Sequence, residues 1–187
     1  MNKEILLSNI VEHKNIAIVG NALSLFNKNY GPEIDSCNIV CRINAGGLII
    51  DTKQQGSKTD IWAYNTFGLI TDSVYYKGDI FFIHLWRSRR QTKESKIFTD
   101  YFYSIHMLDL LINKLNSNNP SSGLMLIDLL CYFKPKSIKL FGFDWNETPT
   151  YYHDNNKRCH KYPHNFELER RFIQNNYIAK NLVTVME

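Results

Sequence analysis

The chain has 187 residues, 44% of them hydrophobic and 21% charged. That is enough for one domain, read as residues 1–187, and too little for two ordinary ones. The net charge of +4 suits an anionic ligand, but the basic residues are dispersed, which excludes a nucleic-acid footprint.

Met1 to Ile10 carries Lys3 and Glu4 and only a short apolar stretch, so it reads as neither a signal-peptide core nor a membrane span. Asn15 to Gly20 is a continuous apolar run closed by glycine and followed by Asn21, the pattern of a buried parallel strand entering a tight turn. Ala22 to Asn27 has helical character. Further strands are predicted at Asn38–Arg42, Asp60–Tyr64, Asp79–His84, Ile138–Gly142 and Leu182–Met186. Helices are predicted at Glu94–Tyr103, Met107–Leu115, Ser122–Phe133 and Asn165–Ile178. Asn116–Asn119 and Asn146–Pro163 are predicted loops. The one local basic run, Arg87, Arg89, Arg90 and Lys93 beside Trp86, fits a solvated loop or a surface that meets an anionic glycan or the membrane periphery.

Strands alternating with helices make this an α/β chain: a single Rossmann-like domain whose mostly parallel sheet is flanked by helices. Ligands of such sheets bind at the carboxyl ends of the strands. Three polar clusters fall there: Gly20-Asn21, Asn44-Ala45-Gly46-Gly47 and Asn65-Thr66. Cys37, Cys41, Cys131 and Cys159 form no CxxC pair and no zinc-finger spacing, so free thiols and a cytoplasmic setting are expected.

Gly20-Asn21-Ala22 is not a GxGxxG fingerprint, and no Walker lysine follows. A glycine there either lets an anion approach N–H groups at a helix start or simply makes the turn. Pro120-Ser121-Ser122-Gly123 opens a long apolar helix, where serine is a good cap and the remaining N–H groups suit a phosphate. The chain has no Asp-x-Asp, the pair that holds a divalent metal over a leaving pyrophosphate. A donor that leaves as a monophosphate needs less neutralisation, so neither a metal nor another cofactor is expected. Among the late histidines, His164 follows Pro163 at the mouth of the last long helix. Its spacing fits a general base for an attacking hydroxyl or a helix cap with Glu167.

Several stretches together resemble the animal-type sialyltransferases of glycosyltransferase family 29. Ile18 to Leu25, Gly31 to Asp35, Val40 to Asn44 and Gly56 to Asp60 resemble the family's large sialylmotif. Pro120 to Met125 with Ile138 to Asp144 resembles the small one. His164-Asn-Phe-Glu-Leu-Glu169 is similar to the very small motif, and Tyr151-Tyr-His-Asp154 to motif III. All occur in the family's order. The resemblance implies the sialyltransferase variant of the GT-A type of fold. It implies an inverting, metal-independent transfer from a cytidine monophosphate (CMP) sugar, carrying sialic acid or the related acidic sugar Kdo, to a hydroxyl of a glycan or glycolipid acceptor. His164 takes the general-base role, with His153 and Tyr151 as further catalytic candidates. Gly20, Asn21, Ser24, Asn44, Asn65, Ser121, Ser122, Gly123, Asp144 and Tyr152 are the implied donor-binding residues.

The chain departs from the family at three points. Tyr151 stands where motif III normally has its histidine, with His153 two places later. The disulfide joining the large and small motifs is missing, since Lys14 or Asn15 falls near one position and Pro135 near the other. The chain is also shorter than the usual catalytic domain, which points to trimmed acceptor loops. The rival expectation is a non-catalytic module that binds a CMP-sugar or glycan within a capsule or lipopolysaccharide assembly system.

Overall fold

The computed structural model describes residues 2–65, 79–85, 99–152 and 164–186. Among them the apolar runs form β1 (Asn15–Val19), β2 (Ile39–Ile43), β3 (Ile61–Tyr64), β4 (Phe81–His84), β5 (Tyr101–Phe102), β6 (Ser137–Phe141) and β7 (Val183–Met186). They lie in one sheet in the order β5-β4-β3-β2-β1-β6-β7, every neighbouring pair parallel. The helices are α1 (Lys3–Val11), α2 (Gly31–Asp35), α3 (Thr52–Gln55), α4 (Ile105–Leu115), α5 (Ser122–Tyr132) and α6 (Phe166–Ile173).

Strand periodicity divides the core between the two faces of the sheet. Ile16, Ile18, Cys41, Ile43, Ile61, Ala63 and Ile83 point to one face, in a cluster with residues of α1, α4 and α5. Ala17, Val19, Val40 and Phe141 point to the other, against Leu25 and Ile34. With both faces covered, the strands need apolar residues in consecutive positions, which is why they read as runs rather than alternations. α5 buries Leu124, Met125, Leu126, Ile127, Leu129 and Leu130. At about 1.5–3 kcal/mol per buried side chain, this anchoring makes its N-terminus a rigid edge.

The expected α/β fold with a parallel sheet is borne out. Several local expectations are corrected. Ala22–Asn27 is no α-helix but a five-residue 3-10 helix, Leu23–Asn27. The predicted helix Glu94–Tyr103 ends instead in the edge strand β5, with Tyr101 and Tyr103 buried and the Tyr103 N–H donating to the His84 carbonyl at 2.9 Å. Residues 94–98 lie outside the described residues, as do Trp86–Lys93, Thr66 and His153. The last helix, read as Asn165–Ile178, changes at Gln174 into a π-helical turn. That widening comes with Tyr177 donating its hydroxyl to Asp128 of α5 at 2.5 Å. α1 went unpredicted, because only Leu7 and Val11 of it are buried. No described helix is long and apolar enough to cross a membrane.

β1 is followed in space by β2 to β5 on one side and by β6 and β7 on the other. The strand order therefore switches direction between β1 and β6. A crevice forms at such a point, because the chain leaves the two strand ends in opposite directions.

Candidate active site

A cleft of about 210 Å³ opens at this switch point. Its floor is the carboxyl ends of β1, β2, β3 and β6, and its walls are the starts of α5 and α6. Gly20, Asn21, Asn44, Asn65, Ser121, Ser122, Gly123, Asp144, Tyr152 and His164 all line it.

The three asparagines each follow a parallel strand, so the sheet lays them side by side. Asn44 adopts a left-handed backbone (φ 50°), which asparagine tolerates. Its Oδ1 accepts the Asn65 N–H at 3.0 Å, and its carbonyl accepts the Trp62 indole N–H at 2.7 Å. Asn65 Nδ2 donates to Ser122 Oγ at 3.2 Å. One network thus ties β2, β3 and the start of α5 together. Asn21 Nδ2 donates to the Ile43 carbonyl at 3.2 Å and to the Tyr152 hydroxyl at 3.4 Å.

Ser121 is the N-cap of α5, its Oγ accepting the Leu124 N–H at 3.2 Å. Its own N–H and O–H are taken by Glu169, at 2.7 and 2.5 Å. Glu169 is 2% exposed, and burial raises its pKa against the opposing pull of Ser121 and His164. The helix start therefore already holds one carboxylate, and Ser122 and Gly123 of the same start line the cleft.

His164 Nδ1 lies 2.8 Å from the Asn119 carbonyl. A carbonyl only accepts, so Nδ1 carries the proton and Nε2 is the basic nitrogen. The cap of α6 is Asn165, whose Oδ1 accepts the Leu168 N–H at 3.0 Å. Glu167 pairs with Arg171 at 2.8 Å rather than reaching back to the cap. Of the two readings of His164 open on spacing, its placement in the cleft fits the base.

Two other implied residues sit differently. The Ser24 hydroxyl donates to Asp144 Oδ2 at 2.8 Å, and Ser24 lies outside the cleft lining. Asp144 also accepts from the Thr148 N–H at 3.1 Å and from the Thr148 hydroxyl, which pins a turn whose residues Trp145 and Asn146 have φ of 58° and 70°. Tyr151 does not line the cleft; its ring packs edge-on against Phe26 at 5.1 Å. The aromatic wall of Phe143, Trp145 and Phe166 was not singled out from the sequence. Glu169 was legible as the glutamate of the very small motif, but its bonds to Ser121 were not. Among the described residues no group of three or more His, Cys, Asp or Glu side chains is placed to hold a metal ion.

A sequence model of glycosyltransferase family 29 (sialyltransferase) matches residues 8–90. Among curated proteins no sequence matches the chain. Solved structures similar to it include a mammalian sialyltransferase at 15% identity and TM-score 0.64, covering 99% of this chain and 78% of that one. A mammalian sialyltransferase in complex with Gal-beta-1-3GalNAc-ortho-nitrophenol matches at 14% identity and TM-score 0.61, with the same coverage. The sialyltransferase CstII from Campylobacter jejuni, in complex with the substrate analogue cytidine-5'-monophosphate, matches at 15% identity and TM-score 0.61, over 93% of this chain and 80% of that one. At these identities the likeness is one of fold.

Proposed function

We propose, from the match of residues 8–90 to the sequence model of glycosyltransferase family 29 (sialyltransferase), that this glycosyltransferase moves sialic acid or Kdo from its CMP donor to a hydroxyl of an acceptor glycan, with inversion and without a metal. The observation that carries the reading is His164: an imidazole oriented through Nδ1 by the Asn119 carbonyl, in the same cleft as Asn21 and Asn44. The relatives' ligands support the donor and acceptor classes, since CstII was solved with cytidine-5'-monophosphate and a mammalian sialyltransferase with a Gal-beta-1-3GalNAc compound.

In this reading the Asn21 and Asn44 amides and the Ser122 and Gly123 N–H groups meet the donor's phosphate and carboxylate. All are neutral donors, which suits a leaving group of modest charge. His164 Nε2 takes the proton of the acceptor hydroxyl as its oxygen bonds to the anomeric carbon. The bond from that carbon to the CMP phosphate oxygen breaks on the opposite face, and CMP departs with the electron pair. The configuration therefore inverts.

The decisive experiment replaces the base alone. His164→Ala is expected to lower transfer by about 10²–10⁴-fold, the usual contribution of a general base. Its affinity for CMP, measured by calorimetry, should stay near that of the wild type. Transfer at the wild-type rate in that variant removes His164 from the mechanism.

A further inference from the structure

Beneath the cleft floor lies a group of buried polar atoms that the transfer reaction does not use. Arg42, two residues before Asn44 on β2, is 0% exposed. Its Nη2 donates to the carbonyls of Gln55 at 2.9 Å, Gly56 at 3.3 Å and Lys58 at 2.8 Å, and its Nε to the Thr59 hydroxyl at 2.9 Å. Its charge is thus held by neutral oxygens. Burial pulls its pKa down to about 10, and the Tyr151 phenol leads the neighbours that favour its charge, ahead of Asp35.

Three donors here lack hydrogen bonds of ordinary geometry: Arg42 Nη1, Gln55 Nε2 and the Tyr151 hydroxyl. Burial raises the pKa of that phenol, with Gln55 and Arg42 pulling the other way. Asn21 Oδ1 is a buried acceptor in the same condition. Buried polar groups almost always find partners, so four such atoms together ask for an explanation.

Gly46 shows how the two ends meet. A Cβ built there would fall 2.0 Å from Asn21 Oδ1 and 3.5 Å from the Tyr151 hydroxyl. Only the missing side chain of a glycine leaves these oxygens facing each other across its Cα. The chain holds both residues in place, since the Tyr151 N–H donates to the Asn21 carbonyl at 3.0 Å. The opposite end of the Asn21 amide, Nδ2, is turned to Tyr152 and the cleft.

The geometry points to Tyr151 as a positioning residue: its hydroxyl and Asn21 Oδ1 both border the space that a Gly46 side chain would fill, its N–H holds the Asn21 backbone, and the Asn21 NH₂ is thereby kept toward the donor phosphate. Turned over, the same amide would set its oxygen against the phosphate. The inference rests on the reading of the cleft as a CMP-sugar site.

The test is Tyr151→Phe, which keeps the ring and its packing on Phe26 and removes one oxygen. CMP and cytidine affinities are measured by calorimetry, donor kinetics at saturating acceptor, and folding by thermal melting. The expected result is an unchanged or higher Tm, CMP Kd and donor KM raised about tenfold, a smaller change in kcat, and unchanged cytidine affinity. CMP affinity within twofold of the wild type in Tyr151→Phe overturns the proposal, and so does an equal loss for cytidine. A wild-type chain that binds no CMP overturns the reading of the cleft itself, before any variant is made.

Discussion

Burial and hydrogen bonding pull the Glu169 carboxyl in opposite directions. Burial raises its pKa, and the two bonds from Ser121 with the nearby His164 lower it; burial prevails. A carboxyl raised in the folded state binds its proton more tightly there than in the unfolded chain. Its contribution to stability is complete below the ordinary carboxylate range and is lost as pH rises through the raised folded value. Glu169→Gln keeps the shape and cannot titrate. The Tm of Glu169→Gln relative to the wild type should therefore climb from about pH 4 to about pH 7. Melting curves across that range check it, and a flat or falling difference refutes it. The site's asparagines were legible because each follows an apolar run that ends at a polar residue. The part of Arg42 was not, nor was the partner of Glu169, since the carbonyls of residues 55–58 and the backbone of Ser121 are distant in sequence from them.

Elements meet closely where β1 and β6 end. The Gly20 N–H donates to the Phe141 carbonyl at 2.7 Å. A Cβ on Gly20 would lie 2.4 Å from the Gly142 carbonyl oxygen and 2.9 Å from the Phe143 ring. The glycine is there for this close approach, not to feed a helix start: only a short 3-10 helix follows, and the long helix that walls the cleft is α5. Local sequence cannot separate these cases, because a strand, a glycine and a polar residue precede both. Since backbone cannot yield as a side chain can, Gly20→Ala should destabilise by about 1–3 kcal/mol or more. At about 2–4 °C per kcal/mol for a domain this size, its Tm should fall by several degrees. CMP affinity should fall with it, as Asn21 is the next residue. An unperturbed Tm in Gly20→Ala would show that the two strand ends can part freely.

Across the whole molecule, the cleft draws on residues from Gly20 to Ile173, and its parts meet only because the sheet reverses its order between β1 and β6. The alternation of strands and helices made the sheet legible, but the order of the strands is a long-range property that no local pattern carries. A ligand at this point touches β1, β2, β3, β6, α5 and α6 at once, so it binds the assembled fold and not its pieces. CMP at about 100 times its Kd should then stabilise the protein by about 2.7 kcal/mol, since the unfolded chain has no such site. For a domain of this size that is a rise in Tm of about 5–10 °C. The amides and helix N–H groups assigned to the phosphate are fixed by the fold, so the rise should be the same in excess chelator. A shift that vanishes with chelator and returns with manganese or magnesium would place a cation between the phosphate and these donors, against the metal-free reading.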